Sequence, residues 1–322
     1  MAKVHIYGCG GMGTNVVSIY RNAEQEPNMP ELSVSFIDTS LSNLSKHGIS
    51  ENEACVLDGL DGSGKLRKEN ANVISDNIKQ ILLNRKPGDF NIVVFSASGG
   101  SGSVAAPLIM KELLSRKIPV VGVMVGSQES LITTQNTINT FKSLDAIARQ
   151  VEQPVVVFYR HMESLKDRSK MDTELRGAIG YLTFMNASSI HELDRMDINN
   201  WLFYPRVTSQ GPTLTSLEIF NEDAGAWGTK SPITVLTLCT STDHAHSSVT
   251  PEYQCCGYVS EDALEQTRSH AIHFVTDADY IRRQIKEVQV RLDDMIAQRD
   301  SRISPNALVS KDDSIHGSGL VL

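Results

Sequence analysis

No apolar run in this chain of 322 residues approaches the ~20 that cross a bilayer, so no membrane-spanning helix is expected. A disulfide framework is missing as well. The five cysteines (Cys9, Cys55, Cys239, Cys255 and Cys256) are odd in number and irregular in spacing, which points to a reducing cytoplasm. Basic charge is in deficit: 30 Lys and Arg against 38 Asp and Glu leave a net −8, which weighs against nucleic acid as a main partner. Met1-Ala2-Lys3 leads straight into an apolar strand pattern, so no signal peptide is expected. A G-x-S-x-G elbow is absent, which leaves a serine hydrolase without support. Neither internal repeats nor low-complexity tracts occur. Together these absences describe a soluble intracellular chain.

What is present is an alternation. Short apolar runs at 3–7, 33–37, 54–57, 90–95, 119–125 and 154–158 read as strands, with helical patterns at 13–21, 70–84, 105–116 and 129–149 between them. The runs are continuously apolar, as in a parallel sheet covered on both faces. This predicts an α/β, doubly wound parallel-sheet domain over 1–170. Residues 171–190 read as a long, largely apolar helix with Leu175, Ile179, Leu182 and Met185 at helical spacing, and 171–192 is assigned as a central helix. Strands at 213–220, 233–240 and 271–275 with Ser/Thr-rich connections predict a smaller α+β domain over 193–276. A terminal helix follows at 277–302, its stripe Ile281, Ile285, Val288, Leu292 and Met295 buried on its own domain. Residues 303–322 form a polar tail with Asp312 and Asp313 and an apolar end, Leu320-Val321-Leu322.

Two glycine-rich turns stand where strands hand over to helices. Gly8-Cys9-Gly10-Gly11-Met12-Gly13 fits G-x-G-x-x-G, and Asp38 ends the next strand, which on its own favours NAD and an NAD-dependent oxidoreductase. Ser98-Gly99-Gly100-Ser101-Gly102-Ser103 is the second. Backbone N–H groups at a helix N-terminus bind anions, and glycine lets a phosphate come close. Two such turns in one unit suggest a nucleoside triphosphate gripped from both sides. A third run, Gly59-Leu60-Asp61-Gly62-Ser63-Gly64-Lys65, nearly fits the P-loop, but Leu66 stands where a Ser or Thr is required, so it reads as a loop. Asp194 and Asp197 follow the long helix; their spacing suits either a helix cap or carboxylates that orient a water. His244-Ala245-His246 with Cys255-Cys256 has the composition of a metal set, but adjacent cysteines on an extended strand point to opposite faces, and no metal site is expected there.

The run Ser98–Ser103 followed by Val104-Ala105-Ala106-Pro107 resembles the glycine-rich signature of the tubulin/FtsZ superfamily. The first turn, through Asn15, resembles that family's first phosphate loop, and Asp194-x-x-Asp197 stands where it carries its acidic loop. Within the superfamily, the run from Gly99 to Pro107, the segment Val125-Gly126-Ser127-Gln128-Glu129-Ser130 and the acidic tail resemble the phage tubulins.

The resemblance implies a GTPase that polymerises head to tail into dynamic filaments, positioning phage DNA or its compartment in the host cytoplasm. It implies GTP or GDP with Mg²⁺ as cofactors, and hydrolysis at the subunit interface with Asp194 and Asp197 acting on a neighbour's nucleotide. Gly10, Gly11, Met12, Asn15, Gly64, Gly99, Gly100, Ser101 and Gly102 would lie at the nucleotide, with Glu129 at the ribose and Asp172 at the guanine. The implied partner is the chain itself, with tail residues Asp312, Asp313, Leu320, Val321 and Leu322 as an implied contact, and with no direct nucleic acid and no membrane. Phe158 and Arg168 depart from the family's usual base contacts.

Overall fold

The computed structural model describes residues 1–50, 53–56, 64, 67–162, 167–221, 231–245, 250–265 and 269–301. Six strands come from the first half: β1 (Lys3–Cys9), β2 (Glu31–Asp38), β3 (Ala54–Val56), β4 (Phe90–Ser96), β5 (Val120–Ser127) and β6 (Val155–Met162). They pair in parallel in the order β3-β2-β1-β4-β5-β6. Every residue of β5 and all but the last of β4 are buried, which explains their uninterrupted apolar sequence: helices cover both faces.

The sheet does not stop at β6. Val155, Val156 and Val157 pair in parallel with Leu214, Thr215 and Ser216 at the start of β7 (Leu214–Phe220). From there β10 (Ala271–Asp277) runs antiparallel to both β7 and β8 (Thr234–Cys239), and β9 (Tyr253–Tyr258) closes the edge parallel to β8. One sheet of ten strands therefore passes through both halves of the described chain.

Helices α1 (Gly10–Val17), α2 (Leu41–Ser45), α3 (Arg67–Asn84), α4 (Gly102–Ser115) and α5 (Leu131–Val151) belong to the first half. After them come α6 (Arg168–Phe184), α7 (Arg195–Leu202), α8 (Glu261–Leu264) and α9 (Ala278–Ser301). Two starts differ from expectation in the same way. α1 begins at Gly10 and α4 at Gly102, so the end of each glycine run already lies in the first helical turn. The central helix α6 ends at Phe184, short of 190: Asn186 turns its Nδ2 back onto the Leu182 carbonyl at 2.9 Å, and a Ser-Ser pair follows, residues whose side chains compete with helical bonding. On α9, Ile281, Val288 and Leu292 are buried and Thr134 Oγ1 of α5 donates to Met295 Sδ at 3.5 Å, so the expected stripe packs on its own chain.

Candidate nucleotide site

The two glycine runs meet. Gly10 has φ +70°, and a Cβ built there would lie 2.8 Å from the Gly102 backbone N. A Cβ on Gly102 would collide with the Cys9 carbonyl oxygen. Only glycine at both positions lets the starts of α1 and α4 touch, and a left-handed φ favours it at Gly10 for a second reason.

Neither helix carries a side-chain cap. Cys9 and Ser101, the residues before α1 and α4, make no capping hydrogen bond, so the first N–H groups of both helices have no side-chain partner. The second turn is also held from behind. Ser103 Oγ donates to the Gly99 carbonyl at 2.6 Å, Asn136 Nδ2 to Ser98 at 3.1 Å and Thr140 Oγ1 to Ala97 at 2.8 Å. Since N–H and C=O of a trans peptide point apart, fixing these carbonyls turns the loop's N–H groups the other way.

Pro107 adds a further tie. Inside α4 it has no N–H to offer the Ser103 carbonyl, and that oxygen accepts from Arg67 Nη2 at 3.2 Å instead. Arg67 also donates to the Asn136 carbonyl at 3.1 Å, and burial pulls its guanidinium down to about 10. A cation thus sits behind the glycine loop.

A cleft of about 280 Å³ opens at this point, along the C-terminal ends of β1, β4 and β5. Ligand crevices in open α/β sheets lie at that edge. Its glycine end includes Gly10, Gly11, Met12 and the second turn from Ser98 to Gly102. Asp38 stands here too, at the end of β2: its Oδ1 accepts from the Thr39 N–H at 2.7 Å and its Oδ2 from Asn43 Nδ2 at 2.9 Å. Burial pushes the Asp38 carboxyl up, and those hydrogen bonds oppose the shift. Thr39 Oγ1 and Ser101 Oγ share a hydrogen bond of 2.5 Å, which joins the β2 end to the second turn. Burial also holds the Cys9 thiol well above its ordinary range, so it is not a nucleophile at neutral pH.

The other walls come from Ser127 at the end of β5, Glu129 just after it, Met162 at the end of β6, and Arg168, Met171 and Asp172 on α6. Asn15 does not line the cleft; its Nδ2 donates to Asp172 Oδ2 at 2.8 Å and fixes that carboxylate. Phe158 is buried away from the cleft, with the Arg160 guanidinium 4.0 Å from its ring centroid. Gly64 is exposed and does not border the cleft, while 57–63, 65 and 66 lie outside the described residues.

Asp194 and Asp197 are elsewhere. Asp194 caps α7, accepting from the N–H groups of Met196 at 2.6 Å and Asp197 at 3.0 Å, and Asp197 Oδ2 accepts from the Asp194 N–H at 3.2 Å. Asp197 Oδ1 takes the Tyr253 hydroxyl at 3.1 Å. The corner is tied to the opposite edge of the same strands: Asp89, just before β4, accepts from the Lys3 N–H at 2.9 Å and from Arg195 at 2.6 Å. Seven residues of β1 separate that edge from the cleft, roughly 20 Å at strand rise. Within one chain the acids and the glycine turns are at opposite poles, and Asp194 is exposed.

Among the described residues, no three His, Cys, Asp or Glu side chains converge as a metal set. His244 stacks on His270 with centroids 4.6 Å apart; His246 lies outside the described residues, as does the tail with Asp312, Asp313, Leu320, Val321 and Leu322. No helix among the described residues is long and apolar enough to cross a membrane. Side chains that the sequence reading missed are Asn43, Thr39 and Arg67. Of these only Arg67 left a trace, in the helix proline whose missing N–H frees a carbonyl.

Strand order β3-β2-β1-β4-β5-β6 is shared with dinucleotide-binding folds, so it does not separate NAD from a triphosphate. Residues 193–279 match the family described as phage tubulin-like protein, C-terminal domain. A phage tubulin-like protein of Pseudomonas phage PhiPA3 is 28% identical over 323 aligned positions, which cover 99% of each chain. A protofilament of TubZ from bacteriophage PhiKZ superposes with a TM-score of 0.87 at 26% identity, covering 100% of both chains. The phage tubulin PhuZ with GDP does so with the same TM-score, identity and coverage. The chain has the tubulin/FtsZ-like fold, and along its full length it is similar to proteins described as phage tubulin-like.

Proposed function

We propose that this chain is a GTPase that assembles head to tail and hydrolyses GTP where two copies meet. One observation carries the reading: the uncapped glycine turns and the exposed Asp194 corner lie at opposite ends of the same parallel strands. Stacking identical subunits along that axis brings the acids of one copy to the cleft of the next. Such a contact is heterologous and does not close, so it propagates as a filament. The protofilament solved for the PhiKZ protein and the GDP bound by PhuZ support both halves of the proposal.

In the mechanism, N–H groups of Gly10, Gly11, Met12, Gly99, Gly100, Ser101 and Gly102 bind the phosphates through two converging helix N-termini. Glu129 takes the ribose. Asp172, held by Asn15, accepts from the guanine N1–H and amine, a pattern adenine lacks. The fit is supported by turns so close that a Cβ at Gly10 or Gly102 would fill the gap. Mg²⁺ would neutralise phosphate charge, and Asp38 is the carboxylate that the glycine end offers it. Asp194 and Asp197 of the adjoining copy would orient the attacking water, because the described carboxylates of the cleft, Asp38, Glu129 and Asp172, are given to the metal, the ribose and the base. Residues 1–170 would then be the nucleotide-binding part, 171–192 the link and 193–276 the part that activates a neighbour.

The filaments would work in the host cytoplasm, positioning phage DNA or the compartment around it without direct nucleic-acid or membrane contact. Residues 310–322 would contribute a filament contact, so deleting them should abolish assembly while leaving nucleotide binding intact. Gly64 would contact nucleotide only by moving toward the cleft. The test is light scattering with phosphate detection after GTP addition, with ATP and GDP as controls. Phosphate release per subunit should rise with protein concentration above a threshold; a flat specific activity would overturn the shared site.

A further inference from the structure

The cleft is poor in positive side chains for a site that takes a polyanion. Among its described lining residues Asp38, Glu129 and Asp172 are carboxylates, against one cation, Arg168. Helix starts offset that only with partial charges. A full charge stands behind the second glycine turn instead. Arg67 opens α3 and gives its guanidinium to three neutral acceptors: the Ser103 carbonyl of α4 at 3.2 Å, the Asn136 carbonyl of α5 at 3.1 Å and Ser143 Oγ of α5 at 3.3 Å. It makes no ion pair with any described carboxylate, and burial alone pulls its guanidinium down. A cation taken from water without an opposite charge is costly, and neutral acceptors return only part of that cost. The groups between it and the cleft are aligned. Asn136 Nδ2 donates to the Ser98 carbonyl at 3.1 Å and Ser103 Oγ to the Gly99 carbonyl at 2.6 Å, so the N–H groups of Gly99 and Gly100 in those same peptides point the other way.

We propose that Arg67 is a positioning residue for the phosphates: held against the back of the glycine turn, its charge acts through the turn's peptide groups and favours nucleotides in proportion to their phosphate charge. The inference rests on the nucleotide reading above. Carbonyls of the turn face the cation and N–H groups face the anion, so each peptide dipole is favourable to both. The bound phosphates supply the opposite charge that the guanidinium lacks within the described chain. A fork of fixed donors also suits a residue that must hold α4 and α5 in one geometry while remaining charged. Arg67 touches no nucleotide in this scheme. It acts through Ser103, Asn136 and the turn.

Isothermal titration of the full chain below its assembly threshold tests this, with GMP, GDP and the methylene analogue of GTP, and with EDTA to keep the phosphates at full charge. Arg67→Gln should weaken all three, by a factor that grows on the order of threefold with each added phosphate charge and shrinks as salt is raised. Arg67→Lys keeps the charge and should stay within about threefold of wild type for every ligand. Ser143→Asp sets a carboxylate against a guanidinium that stays docked, so the same spot loses one unit of charge with its hydrogen bonds in place. It should repeat the graded, salt-sensitive loss, and it decides by the same criteria if Arg67→Gln does not fold. An unchanged affinity overturns the proposal. So does a loss equal for the three ligands or indifferent to salt, which would make Arg67 a packing tie, and so does Arg67→Lys as weak as Arg67→Gln. If the wild-type chain binds none of the three, the GTPase reading falls as well, an outcome that appears before any substitution is made.

Discussion

The two poles of the sheet treat helix ends in opposite ways. At the C-terminal edge of β1 and β4, α1 and α4 begin with no side-chain cap, and their starting glycines press backbone on backbone. At the N-terminal edge, α7 begins with a complete capping box in which Asp194 and Asp197 satisfy each other's N–H groups. Orphan N–H groups at a helix start cost stability unless water or a ligand meets them. On the proposed function, the chain leaves them open where a phosphate would bind and closes them where carboxylates would face a neighbour. Because the acids are held by the helix they cap, their positions survive without a ligand, which is what a surface offered to a neighbour requires. Between the poles runs α6, 17 residues and roughly 25 Å long, from the cleft wall toward the acid corner.

The largest expected effect tests the open pole. Gly102→Val adds a branched side chain where even a Cβ meets the Cys9 carbonyl, and it should separate the two turns. Nucleotide affinity should fall by more than about 100-fold, with a stability loss of about 2 kcal/mol from strain in a packed site. Titration calorimetry and thermal melting measure the two separately. Retained affinity would mean that the contact between the turns is mere packing and that the comparison of the poles has no functional content.

The capped pole is tested by a substitution that separates its two roles. Asparagine caps helices as well as aspartate does, so Asp194→Asn should leave the melting temperature nearly unchanged while GTP turnover in filaments falls by about 100-fold. Asp194→Ala should lose turnover and about 1 kcal/mol of stability together. Full turnover in the asparagine variant would leave Asp194 as a cap and nothing more. Mixing Asp194→Asn with Gly102→Val sharpens the comparison further. Each is inactive alone, but the first retains a working cleft and the second retains working acids, so the mixture should recover turnover at their shared contacts. No recovery would count against hydrolysis between copies.

How far the poles were visible in the sequence differs. The strands were legible because burial on both faces leaves an uninterrupted apolar run, as in Ile92-Val93-Val94-Phe95. The glycine turns were legible because few other residues tolerate such close approach. Their role as the first helical turn was not, since helix starts are ordinarily marked by Ser, Thr, Asp or Asn with a bonded side chain, and here that mark is absent. Asp38 was legible only as part of the dinucleotide fingerprint; its bonds to Thr39 and Asn43 depend on the turn after β2. The contact of Thr39 with Ser101 joins residues 62 apart, and no local pattern encodes it. The continuous sheet was hidden as well, because Ser/Thr-rich connections suggested a separate unit while Val155, Val156 and Val157 still had a free edge to pair.

The smallest effect concerns the brace between the poles. Arg160 on β6 reaches Glu174 of α6 at 3.5 Å and Glu218 of β7 at 3.0 Å, so it ties the helix that starts at the cleft to the strand that continues into the second half. Burial pushes the Glu218 carboxyl up to about 7, against the lowering pull of Arg160. An acid raised in the folded state binds more protons there than when unfolded. Its contribution to stability is therefore fully present below its ordinary value of 4.5 and is lost as pH rises through about 7. Glu218→Gln removes that dependence. Relative to wild type, its melting temperature should gain on the order of 2–4 °C between pH 5 and pH 8, with nucleotide affinity unchanged. A difference that stays constant across this range would mean that Glu218 is already ionised at pH 5 and that Arg160 holds it as an ordinary ion pair. The brace would then tie α6 to β7 equally at every pH, and the two poles would be coupled through a fixed strut.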